Sequence, residues 1–140
     1  MHVNKKIYNA FYAQSGGVTA VINSSACGLI TAARDNPDKI GKVYAGKNGI
    51  LGAINNDLID TSVYTDEQIK NLRSTPGGAF GSCRVKLPDF KIDSSKYKKI
   101  LDVFKQHEIR YFFYNGGGDS QDTTNKLAQY AKIVGYPLQC

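Results

Sequence analysis

Twice in this chain an aromatic run breaks off into glycine and gives way to residues at helical spacing. The first run is Lys6–Gln14, KIYNAFYAQ, followed by Ser15–Gly17 and then by Val18, Val21, Ile22, Ala26, Leu29, Ile30 and Ala33. The second is Arg110–Asn115, RYFFYN, followed by Gly116–Ser120 and then by Leu127, Tyr130, Ala131 and Val134. Aromatic runs of this kind read as buried strands, and the spacing after each glycine cluster reads as an amphipathic helix. Strands that alternate with helices predict an α/β fold: an open, mostly parallel sheet with helices on both faces. Ligands of such sheets sit beyond the carboxyl ends of the strands, so both glycine turns point to one edge.

The other segments fit that plan. Asp35, Asn36 and Pro37 stop the first helix, and Gly41–Lys47 reads as a second strand. Asn48–Ser62 reads as loop with one helical turn. Thr65–Ser74 reads as a short helix with an N-cap candidate and early acids. Thr75–Arg84, TPGGAFGSCR, is a third glycine loop. Ser94–Ile109 is an amphipathic helix with Tyr97, Ile100, Leu101 and Phe104 on one side. Tyr136–Cys140 opens another strand.

Composition narrows the classes of function. The 140 residues suit one domain or part of one, and the 14 glycines lie mostly in short clusters rather than in a linker. Eighteen lysines and arginines against 12 acids give a net charge of +6, which suits an anionic ligand. No block of five or six basic residues occurs, which argues against nucleic acid. Cys27, Cys83 and Cys140 form no CxxC pair, which fits a reduced, cytoplasmic compartment. Two histidines leave little for a zinc site or a histidine triad. Val18–Ala33 is too short for a membrane span and contains Asn23, Ser24 and Ser25, and the N-terminus lacks the apolar run of a signal peptide.

Glycine lets backbone N–H groups approach an anion at the start of a helix, so Ser15–Gly17 and Gly116–Ser120 are phosphate-cradle candidates. A tight connection that binds nothing is the alternative for either alone. Neither is a GxxxxGK[ST] loop or a GxGxxG fingerprint. Arg84, in the third loop, carries a fixed fork of donors suited to phosphate oxygens, or is an ordinary surface arginine. Cys83 reads as a small packing residue.

Together these motifs resemble the N-terminal part of the phosphofructokinase family. Ser15-Gly16-Gly17 with Asn23, then Gly77–Arg84, then Gly116–Ser120 stand in the family's order and cover nearly the whole chain. The resemblance implies phosphoryl transfer to the 1-hydroxyl of fructose 6-phosphate, giving fructose 1,6-bisphosphate. ATP-using members carry Gly-Gly-Asp-Gly-Ser; in pyrophosphate-using members the last glycine is an aspartate, here Asp119. Its carboxylate would fill the place of a nucleotide phosphate, so the loop resembles the pyrophosphate-dependent branch. The alternatives are an ATP-dependent member and a non-catalytic nucleotide- or anion-binding module.

By the same resemblance Gly17, Arg84, Lys86, Gly117, Gly118 and Ser120 would bind the phosphoryl donor, and Asp119 would set donor selectivity and support the transition state. Ser120 also reads as a plain helix cap, and Asp122 as a first-turn helix acid. The family's magnesium aspartate falls on Gly118, so the usual carboxylate is missing and Asp119 is the remaining candidate for Mg2+. The Thr-Ile-Asp motif that holds the family's catalytic base does not occur; Leu58–Ser62, LIDTS, has Ile-Asp in another place. The expectation is therefore an N-terminal donor-binding portion, residues 1–140, of a longer homo-oligomeric enzyme. The base and most of the sugar-phosphate site would lie elsewhere, leaving this portion alone without turnover.

Overall fold

A computed structural model describes residues 6–15, 22–74, 80–81, 86–116 and 118–140. Among these residues four strands form one sheet: β1 (Tyr8–Gln14), β2 (Ile40–Gly46), β3 (Leu58–Asp60) and β4 (Ile109–Asn115), in the order β3-β2-β1-β4. β1 runs parallel to both β2 and β4, and β3 is antiparallel to β2. Beyond β4, Gln139 bridges Tyr111 in parallel, accepting from the Phe112 amide at 2.7 Å and donating to the Arg110 carbonyl at 2.8 Å. The strand expected at Tyr136–Cys140 is thus realised as this single bridge.

Among the described residues five α-helices cover the sheet: α1 (Ile22–Asp35), α2 (Ile50–Asn55), α3 (Asp66–Lys70), α4 (Ser95–Gln106) and α5 (Gly118–Val134). β1 is central and covered on both sides, which is why Ala10 to Ala13 are all 3% exposed or less. Phe11 and Ala13 face α2, α4 and α5, in a core with Ile50, Tyr97, Phe104 and Leu127. Ala10 and Tyr12 face the other way, against Ala26, Cys27 and Ile30 of α1 and Ile69 of α3. The expected helices on both faces are present. Phe11 stacks on Phe112 at 5.6 Å and meets Phe104 at 5.2 Å; such pairs contribute about 0.5–1.5 kcal/mol each beyond area burial.

A register shift between Asn9 and Ala10 lets Ile109 and Phe112, three apart in sequence, serve the same core. α4 buries the four residues predicted from its periodicity, together with Val103. α5 ends in a Schellman motif. Gly135 takes φ +79°, its amide donates to the Lys132 carbonyl, and the Tyr136 amide donates to Ala131.

Two sequence expectations need correction. Asn48–Ser62 is not loop with one turn: it holds α2, then β3. Asn56 terminates α2 with φ 55° and ψ 40°, the left-handed conformation that asparagine tolerates, and so reverses the chain into the antiparallel strand. Thr65–Ser74 is not one α-helix. The Thr65–Gln68 capping box starts α3 as expected, but the helix tightens to 3-10 over Asn71–Ser74. The early part of the first predicted helix, Val18 and Val21, lies outside the described residues, as does most of the third glycine loop.

Candidate functional site

The carboxyl ends of β1 and β4 lie side by side. The Ser15 amide, just past β1, donates to the carbonyl of Asn115, the last residue of β4, at 2.9 Å. Ser15 follows one strand and Gly116 the other, so the chain leaves both strands at the same edge of the sheet, as the fold class predicts. α5 starts two residues after Gly116. It is 17 residues long, and its first-turn N–H groups and positive dipole end lie at that edge.

The turns are fastened together by side chains. The Ser15 and Ser120 hydroxyls hydrogen-bond each other, with Ser15 8% and Ser120 2% exposed. Gly116 is the residue that makes room for them. A Cβ there would lie 3.0 Å from the Ser15 carbonyl oxygen and closer still to both hydroxyl oxygens. Its φ is not left-handed, so space rather than backbone conformation demands glycine. Gly118 is the opposite case: exposed, with nothing within 4 Å of where a Cβ would stand.

Tyr12 is the hub of the edge. Its hydroxyl accepts from Gln14 Nε2 at 3.1 Å and from Asn115 Nδ2 at 3.3 Å. Burial pushes the phenol above its ordinary value, and the two amide hydrogen bonds pull the other way. Phe80 of the third glycine loop meets the Tyr12 ring edge-on at 6.4 Å. Gln14 and Asn115, which precede two of the predicted glycine loops, and Phe80 of the third therefore meet at one tyrosine. Among the described residues the buried polar side chains are Gln14, Ser15, Asn23, Thr61, Ser120 and Thr123. All but Thr61 belong to the end of β1 or to the first turns of α1 and α5.

The sequence-predicted site residues fare unevenly. Ser120 is brought to the edge, but its hydroxyl is turned to Ser15, so what it offers an anion is its backbone N–H. Gly118 opens α5 with free space around it. Lys86 is exposed, next to buried Leu87, whose carbonyl accepts from Lys126 at 3.3 Å. Asp122, expected as a first-turn acid, is the fifth residue of α5 and pairs with Lys126 at 2.8 Å, one turn on. Gly17, Arg84, Cys83 and Gly117 lie outside the described residues; Asp119 is described by its backbone alone, as the second residue of α5. Tyr12, Gln14 and Asn115 were missed as polar groups. The available signal was a polar residue ending each of two aromatic runs.

Among the described residues no three His, Cys, Asp or Glu side chains cluster, and Gly118 contributes no carboxylate. Nor, among them, is any helix long and apolar enough to cross a membrane.

Parallel strands whose carboxyl ends lie side by side, with a helix starting at that edge, define an open α/β sheet unit. A phosphofructokinase family model matches residues 9–138, and the chain belongs to that family. It is 62% identical over 131 residues to the pyrophosphate–fructose 6-phosphate 1-phosphotransferase of Halomonas elongata, covering 94% of this chain and 31% of that protein. Its fold matches the crystal structure of the pyrophosphate-dependent phosphofructokinase of Marinobacter aquaeolei with TM-score 0.87 and 60% identity, over 96% of this chain and 32% of that one. The corresponding structure from Nitrosospira multiformis gives 0.89 and 57%, over 95% and 32%. The chain thus spans about a third of the length of these relatives.

Proposed function

We propose that residues 1–140 form the phosphoryl-donor-binding portion of an enzyme that transfers a phosphoryl group from pyrophosphate to fructose 6-phosphate. The observation that carries this reading is the joined edge: two glycine turns clasped through Ser15 and Ser120 at the start of α5. In the overall reaction a P–O bond of pyrophosphate breaks, a bond forms to the sugar 1-hydroxyl oxygen, and inorganic phosphate leaves. Catalysis of such a transfer is mostly positioning and charge stabilisation. The α5 N–H groups would hold donor oxygens. Gly17 and Gly117 would let backbone approach, and Arg84 and Lys86 would offset the charge of the transferring group. Residues 1–140 contain no Thr-Ile-Asp, so the sugar site and its base would belong to another part of a longer protein.

Asp119, in place of the glycine of ATP-using relatives, would exclude a nucleotide phosphate by bulk and like charge. Magnesium, when bound, would neutralise charge between donor oxygens. With Gly118 lacking a carboxylate, Asp119 is the loop acid that would be available to hold it. An assembly of several copies and a cytoplasmic setting follow from the same reading.

The test is a chimera in which this chain replaces the matching 131 residues of the Halomonas relative. Expected is phosphorylation of fructose 6-phosphate with pyrophosphate and not with ATP, and a gain of ATP use on Asp119→Gly. A chimera that uses ATP from the outset would sink the proposal; donor preference unmoved by Asp119→Gly would remove Asp119 from it.

A further inference from the structure

The opposite edge of the sheet carries a second feature that the donor reading does not use. At the amino ends of β1 and β4 lies a cavity of about 790 Å³, walled in part by Lys6, Tyr8, Asp38, Lys39, Arg110 and Gln139. The strands are seven residues long, so this cavity is about 23 Å from the glycine turns.

Arg110 is its fixed centre. Its guanidinium carbon lies 4.2 Å from the Tyr8 ring centroid and 5.3 Å from that of Tyr136. Tyr136 is 8% exposed, and its hydroxyl donates to the Ile109 carbonyl, so that ring is itself held. One side of the guanidinium meets the Tyr136 hydroxyl, and the N–H groups that remain make a planar fork matching two oxygens of a phosphate. Lys39 stands on the wall from the turn before β2. Lys6 lies 5.7 Å from the Tyr8 ring, but its charge is offset by Glu108 at 2.6 Å. Among the described residues, neither Arg110 nor Lys39 is in an ion pair. Asp38 is the one acid on the wall. Among the described residues this arginine meets no carboxylate; it lies against the Tyr8 ring and the Tyr136 ring and hydroxyl on the wall of an open cavity.

We infer that this cavity is a second anion site, recognising a phosphate group through the Arg110 fork with Lys39 as the second charge. Its volume exceeds one phosphate, so the group can be free or carried on a small phosphate monoester. The site is independent of the donor reading, because it shares no residue with the glycine edge.

The experiment is an amide-shift NMR titration of the 140-residue chain at constant ionic strength, with inorganic phosphate in one arm and ribose 5-phosphate in the other. Expected are saturable shifts at Tyr8, Lys39, Arg110 and Gln139, and tighter binding in the ester arm if the natural ligand is a monoester. Arg110→Met should weaken affinity at this edge about tenfold, through loss of a charge-assisted bidentate contact. Lys39→Ala, an exposed change that leaves the packing intact, should weaken it about threefold. Shifts confined to Gly116, Gly118 and Ser120 would overturn the inference while leaving the donor reading standing. So would unchanged affinity at the amino edge in the Lys39 and Arg110 variants.

Discussion

Gly116 and Gly118 stand two residues apart in one loop, yet replacing each with alanine should move stability in opposite directions. At Gly116 the new Cβ meets the Ser15 carbonyl oxygen at 3.0 Å and presses both clasped hydroxyls. Either the loop shifts or the hydroxyls separate; overpacking or an unsatisfied buried hydroxyl each costs about 1–3 kcal/mol. Gly118 has open space and lies in the first turn of α5. Alanine there should stabilise by about 0.4–1 kcal/mol, mainly by restricting the unfolded chain. For a chain of this size 1 kcal/mol shifts Tm by about 3–5 °C. Thermal melts should therefore show Gly116→Ala lowered by at least about 3 °C and Gly118→Ala raised by about 1–5 °C. Pyrophosphate binding, followed by calorimetry, should weaken in Gly116→Ala. Equal shifts of the two variants, or a stabilised Gly116→Ala, would show that the clasp is not the constraint on this loop.

Three further outcomes are expected. Burial pushes the Asp60 carboxyl up, but hydrogen bonds from the Ser62 hydroxyl and amide, with Lys42 at 3.0 Å, outweigh it and leave it lowered. Its stabilisation is present above the ordinary value of about 3.9 and is lost as pH falls through the folded value, so Asp60→Asn should flatten the urea midpoint below about pH 4. The Tyr97 phenol is pushed up to about 12 by burial, with Asp89 and Asp122 adding to the shift. That contribution is complete below about pH 10 and is lost as pH rises toward the folded value, so Tyr97→Phe should weaken the alkaline decline seen in urea midpoints. Arg34 ties α1 to the segment before α3, donating to Asp66 at 2.6 Å and to the Thr61 and Tyr64 carbonyls at 2.8 Å each. Arg34→Lys cannot make all three bonds and should cost about 1–2 kcal/mol by denaturant titration; a loss under 0.5 would mean that the fork is idle.

Elements whose signal lies within a short window were legible in the sequence. β1 and β4 are dense in aromatics, and α4 shows its buried side through its own period. β3 was not legible, since three residues carry no period, and Leu58–Asp60 becomes a strand only because Asn56 folds it back onto β2. The 3-10 ending of the Thr65–Ser74 segment has the same origin, for helix propensity does not distinguish the tighter turn. At the site, the glycines announced the edge, but Tyr12 read as one more core aromatic. Its polar role depends on Asn115, 103 residues away, and on Phe80. A single sequence read in windows cannot weigh such a contact.

The Ser15–Ser120 bond spans 105 residues. It can form only after β1 and β4 have paired, a late and non-local event in folding. The edge is therefore not a loop property that a partly folded chain could display. It is a readout of the finished sheet, so an anion that binds there binds the native state alone. Such a ligand would raise stability in step with its concentration, and its failure to bind would report a misassembled sheet before any loss of helix content did.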